Sequence, residues 1–281
     1  MPYFNRIAIA LVSPEEGEEV LLQNLRMEFE IFKTVTRSAN TLLLKIYNLS
    51  KDTISKLNAA NSSIALKVGY TESSGAGVIF IGDITFVDTK HMLPDIITEI
   101  HASDGQKVLR ESKLSLSYGA DTAVKNILND ITAQLSDIAL RPLGEIGSLA
   151  FKKGFSYTGT VEKALDKICA ALKLEWSIQN NELQIIPRGK ISQEEVLVIS
   201  ADSGLIGSPN KQENQDIANT GSDNLPGWEF TSLLESRIEP GGQVQLESRE
   251  ANGTFRIESV KHVGDTHASP WFSICNCIEE A

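Results

Sequence analysis

Between Leu25 and Leu57 the sequence commits to a strand, a second strand and a short helix in immediate succession, and few folds accommodate that run. Leu25, Met27, Phe29 and Ile31 alternate with Arg26, Glu28 and Glu30, the period of two that a half-buried strand requires. After the polar break Thr36-Arg37-Ser38-Ala39-Asn40, the run Leu42-Leu43-Leu44-Lys45-Ile46-Tyr47 is apolar on both faces, which predicts the interior of a sheet. Ser50 stands at an N-cap position, Asp52 falls in the first turn, and Ile54 and Leu57 form a narrow apolar stripe. A short helix there is expected to plug one opening of a small barrel. No catalytic group stands out in the stretch, so its content is architectural.

Strand signals surround this segment. Ile7 to Val12 reads as an opening strand, and Ser13-Pro14-Glu15-Glu16-Gly17-Glu18-Glu19 as an acidic turn. Ile64, Leu66, Val68 and Tyr70 alternate, a loop is expected at 73–77, and Val78–Val87 carries Gly82 as a bulge or close-packing point. Ile96 to Ala102 alternates again after a turn at His91–Pro94. The pattern then becomes helical: Asp121 is the expected cap of a helix bearing Val124, Ile127, Leu128, Ile131 and Leu135 on one face. A second helix starts near Thr160, and Gln179-Asn180-Asn181-Glu182 predicts a tight hairpin, because Asn tolerates positive φ. Strands return at Val196–Ile199, Trp228–Leu234, Gln243–Ser248, Thr254–His262 and Trp271–Ile278, with a long polar loop over 200–227.

The expected fold is therefore α+β and mainly β. A small antiparallel β-barrel with a short helix occupies 1–104, an α/β domain of two helices and a hairpin 105–189, and a second β-barrel with the long loop 190–281.

Charge and residue chemistry narrow the function. Lys+Arg 26 against Asp+Glu 37 gives a net charge of -11 and a pI near 4.9, which argues against stable nucleic-acid binding over most of the exterior. Three cysteines, Cys169, Cys275 and Cys277, form no disulfide framework and fit a reducing compartment. The start of the chain has no secretion-signal pattern, and no apolar run reaches membrane-spanning length. His262, Asp265 and His267 near Cys275 and Cys277 have some metal flavour, but C-x-C on a straight strand wraps a metal poorly. There is no G-x-S-x-G turn, no phosphate cradle at Gly75-Ala76-Gly77, and the paired carboxylates Glu15-Glu16, Glu18-Glu19 and Glu194-Glu195 read as solvated turns. Trp176, Trp228 and Trp271 sit in or beside strands, where packing is the common role. No cofactor, metal or catalytic residue is expected, and the chain reads as a non-enzyme.

Several phrases in this order resemble the baseplate hub proteins of tailed bacteriophages, a group that includes the late control family and the hub portion of type VI secretion spikes. They are Lys45-Ile46-Tyr47-Asn48-Leu49-Ser50, Phe80-Ile81-Gly82-Asp83-Ile84, Ala102-Ser103-Asp104-Gly105, Leu172-Lys173-Leu174-Glu175-Trp176-Ser177-Ile178, Gly204-Leu205-Ile206-Gly207-Ser208-Pro209 and Gly264-Asp265-Thr266. The resemblance spans nearly the whole chain. It implies a homotrimeric ring joining a hexameric tail tube, or a distal tail protein, to a trimeric central spike or tip. A tape-measure protein is a further neighbour, and DNA would meet the protein only in transit through the lumen. Leu205, Ile206, Pro209 and Trp228 are the expected partner-interface residues. The implied location is the tail baseplate of the virion, after assembly in the host cytoplasm. The alternatives are a tail-associated cell-wall hydrolase and a receptor- or glycan-binding tip module.

Overall fold

A computed structural model describes residues 5–57, 61–71, 75–135, 138–191, 195–212 and 227–279. The first third contains β1 (Arg6–Ser13), β2 (Val20–Leu22), β3 (Met27–Thr34), β4 (Thr41–Tyr47), α1 (Lys51–Leu57), β5 (Ser63–Tyr70), β6 (Gly75–Met92) and β7 (Asp95–Ser103). Met27, Phe29 and Ile31 point inward from β3, and Leu42, Leu44 and Ile46 from β4. The apolar run of β4 does lie inside the sheet, between β3 and β7. Its two faces are unequal, however: Leu43, Lys45 and Tyr47 remain half-buried on the outer side. Ser50 caps α1 as its sequence position predicts, its Oγ accepting the Thr53 N–H at 3.1 Å, and Leu57 is fully buried in the first hydrophobic cluster.

β6 is longer than its sequence suggests. It starts at Gly75, so 75–77 is strand rather than loop, and 72–74 lie outside the described residues. Its pairing slips past Ile79 and again past Thr85. The first slip lets adjacent Ile79 and Phe80 both be buried, which strict alternation forbids. Gly82 is a close-packing point: a Cβ there would sit 2.5 Å from the Ser103 carbonyl oxygen.

The middle third contains α2 (Gln106–Glu111), β8 (Lys113–Tyr118), β9 (Thr122–Ala123), α3 (Val124–Thr132), β10 (Ala139–Leu140), a 3-10 turn (Gly144–Ser148), β11 (Ala150–Phe151), β12 (Phe155–Thr160), α4 (Val161–Leu172), β13 (Leu174–Gln179) and β14 (Glu182–Pro187). Val124, Ile127, Leu128 and Ile131 are the buried face of α3, as their spacing predicts. Asp121 is not the cap. The short β9–β11 pair intervenes, Asp121 takes a left-handed turn conformation (φ 58°), and the first helical N–H, of Val124, donates to Leu149 O at 2.7 Å. The hairpin forms where expected, with Asn180 and Asn181 at φ 54° and 61°.

The last third contains β15 (Val196–Ser200), β16 (Leu205–Gln212), β17 (Gly227–Leu233), β18 (Gln243–Glu247), β19 (Asn252–Asp265) and β20 (Trp271–Glu279). β16 occupies the start of the segment expected to be a long loop, and 213–226 lie outside the described residues. β15 runs parallel to β18, a departure from the all-antiparallel expectation.

The two β-rich thirds form one sheet. Its path is β16-β17-β20-β19-β3-β4-β7-β6-β5-β1-β2, with β18 and β15 branching from β19. The splice is β19 on β3, from Ser259 opposite Thr34 to Asp265 opposite Glu28. Among the described residues no ring of paired strands closes in either third. Leu234 and Trp271, from the last third, pack in the first cluster, and Trp271 meets Phe29 edge-on at 5.5 Å.

Candidate functional site: edge surfaces and a buried polar seam

The expected interface residues all fall on the β16–β17 pair, but not in one patch. β16 pairs with β17 on one side only among the described residues. Its register breaks between Ile206 and Asn210, where Gly207 takes φ 71° and Pro209, which has no N–H to donate, is tolerated at an edge. Ile206 is 42% exposed and lies opposite Thr231. Trp228 is at the far end, opposite Lys211; Leu205 and Trp228 are half-buried against the third hydrophobic cluster, and Pro209 is buried. Only Ile206 of the four presents a broadly open apolar face.

Other exposed apolar groups escaped the sequence reading. Phe86, Met92 and Leu93 ride the β6–β7 hairpin, with Leu93 at its tip 96% exposed, and Val196 and Val198 face outward from β15. The available signal was Met92-Leu93 inside a turn, where polar residues are usual.

Charges stand in register across the sheet: half-buried Glu28, Lys45, Glu99 and Asp88, with buried Asp265 at the end of the row. Three cations, Arg26, Lys45 and Lys90, answer the four carboxylates. Arg26 contacts Glu28 at 2.8 Å and Asp265 at 3.0 Å, and Lys90 contacts Glu99 at 2.6 Å. The bond from Lys90 holds the Glu99 carboxyl below its ordinary range.

The candidate metal cluster is not assembled. His262 is fully buried, its Nδ1 2.8 Å from Ser273 Oγ. Asp265 instead accepts the turn N–H groups of His267 and Ala268. Cys275 and Cys277 share one face of β20, as their spacing predicts, and both are buried in the third cluster.

The densest chemistry lies where the β13–β14 hairpin meets the large sheet. Asn40 Nδ2 donates to Asp104 Oδ2 at 2.6 Å, Ile178 O at 2.8 Å and Gln179 Oε1 at 3.0 Å. Gln179 Nε2 donates to Thr34 O at 2.8 Å. Lys33, 1% exposed, donates to Asn180 Oδ1 at 2.9 Å and lies 3.7 Å from Glu239. Asn180 Nδ2 and Arg141 also reach Glu239, at 2.8 and 2.9 Å, and Arg141 Nε reaches Glu182 at 2.8 Å. Further along, buried Arg256 is bonded to Glu175 and lies 3.3 Å from Glu258.

Burial pushes Asp104 and Glu258 each up to about 7, against the bonds from Asn40 and the attraction of Arg256 respectively. Glu239 differs. Burial raises it, but Lys33 and Arg141 together outweigh burial and hold it below its ordinary range. This arrangement holds three chain segments in register. Sequence held one signal for it: Lys33 continues the inward phase of Met27, Phe29 and Ile31.

A family model described as baseplate hub gp41 matches residues 6–277. Among solved structures, the chain is similar to the 43 kDa tail protein of prophage MuSo2 from Shewanella oneidensis, with a TM-score of 0.66, 8% identity and 97% of each chain covered. It is similar to the tail protein of Neisseria meningitidis MC58, with a TM-score of 0.67, 12% identity and again 97% of each chain covered. A third similar structure is the E. coli c3393 protein, a component of the type VI secretion system, with a TM-score of 0.61, 10% identity, and 96% of this chain and 77% of that one covered. At these identities the likeness concerns the fold. No curated protein matches the chain in sequence.

Proposed function

The chain belongs to the baseplate hub gp41 family, and from that premise we propose that it is a homotrimeric adapter in a phage tail baseplate. It joins a hexameric tube to a trimeric spike or tip, lines the DNA channel and carries out no chemistry. The family match over 6–277 carries this reading. The physical support is the continuous sheet. In this reading 1–104 and 190–281 are two β units and 105–189 an α/β unit beside them; the pairing of β19 on β3, which runs strands of the first and last thirds into one sheet, supports it. A chain with two tube-like β units, repeated three times, offers six similar positions to a six-fold tube.

The ring closes heterologously, so edges left unpaired within one chain are covered by the next. β16, with Ile206, is such an edge, with Leu205, Pro209 and Trp228 shaping it from behind. The acidic balance of the chain, a net charge of -11, suits a wall along which DNA slides without sticking. The protein thus takes its place in the virion after assembly in the host cytoplasm.

The test is reconstruction of intact tails together with native mass of the chain co-expressed with tube and spike proteins. Three copies on the tail axis between tube and tip are expected. A lone copy on the tail periphery overturns the reading.

A further inference from the structure

The middle third is joined to the rest of the molecule differently from the way the two β regions are joined to each other. Its apolar side chains, from Leu109 to Ile185, pack among themselves. None of its strands pairs with the large sheet among the described residues. The boundary is instead dominated by the polar seam, from Glu175–Arg256 at one end to Glu182–Arg141–Glu239 at the other. An open groove of about 320 Å³, lined by Val35, Arg37, Asp166, Cys169 and Trp176, runs beside it. The chain enters the middle third at Asp104-Gly105 and leaves it at Gly189, which has φ +74°.

We propose that residues 105–189 form a hinged body that unseats from the sheet along this seam, turning at Gly105 and Gly189. Separating apolar surfaces costs about 25 cal/mol per Å² exposed. Separating charged groups lets each regain its hydration, so a buried ionic contact is strongly registering yet adds little net stability. Polar interfaces between units of one chain permit relative motion for this reason. Glycine at both crossing points supplies backbone freedom that other residues lack. Arg141 is one of the tethers: braced by Glu182 within the same body, it reaches Glu239 of the last third across the seam, beside Asn180 and Lys33.

The test uses spin labels at Lys67→Cys on β5 and Lys163→Cys on α4, both exposed positions, in the full chain whose own cysteines are buried. Pulsed electron resonance is expected to show a main distance and a second, longer one. The longer population should grow several-fold in Arg141→Ala, while hydrogen exchange finds α4 and β4 still protected. Arg141→Lys should give a smaller increase. A single unchanged distance in all these chains overturns the proposal, as does loss of protection in the seam, α4 and β4 together.

Discussion

Replacing Glu258 with glutamine probes the seam with a sign fixed in advance. Glu258 is 5% exposed and 3.3 Å from Arg256 Nε, with Glu175 on the same guanidinium. Burial sets its carboxyl at about 7, above the ordinary 4.5. The folded chain therefore holds a proton that the unfolded chain has already released. The stability that carboxyl contributes is complete below about pH 4.5 and is lost as pH rises through about 7. Between about pH 5 and about pH 8 the loss amounts to roughly 2 kcal/mol, at ~1.4 kcal/mol per pH unit. Glutamine does not titrate. Urea melts of both chains at the two pH values should show the difference moving by that amount in favour of Glu258→Gln at the higher pH. Any constant cost of the amide cancels in this comparison. His262 acts in the opposite sense: burial holds it neutral, with a pKa of about 3. Its contribution is therefore lost as pH falls below about 6.5, equally in both chains, and drops out of the difference. A difference identical at both pH values refutes the claim that Glu258 is buried at the expense of its charge.

Three further outcomes are expected. Ser50→Ala removes the cap of α1 and should cost about 1 kcal/mol in the same melts. Leu44→Ala, at a position with no exposure in the centre of the first cluster, should cost about 3 kcal/mol and lower the thermal midpoint accordingly. Asn181→Ala forces a side chain without local hydrogen bonding into φ 61° and should cost about 1 kcal/mol, whereas Asn181→Gly, free of the Cβ penalty, should cost less by calorimetry.

Local elements were legible because their causes are local. The alternation of Met27, Phe29 and Ile31, the cap at Ser50, the helical face from Val124 to Ile131 and the Asn180-Asn181 turn each act within a few residues. Departures arose where a distant backbone intervened. Asp121 lost its capping role to the β9–β11 pair, and the start of the expected loop over 200–227 became β16 by pairing with β17. The four expected interface residues share one strand pair, yet the bulge at Gly207–Pro209 and the register with β17 separate Ile206 from Trp228.

The sequence by itself determined that this chain builds strands and helices with one apolar face, because side-chain period and turn chemistry are properties of neighbouring residues. Only tertiary structure decided that residues more than two hundred positions apart, on β3 and β19, fuse two β regions into one sheet. It also decided that Lys33, Arg256 and Glu258 would be buried partners rather than solvated charges. Burial and pairing are relations between segments, and a charge reads alike along the chain whether water or a counter-charge is to meet it.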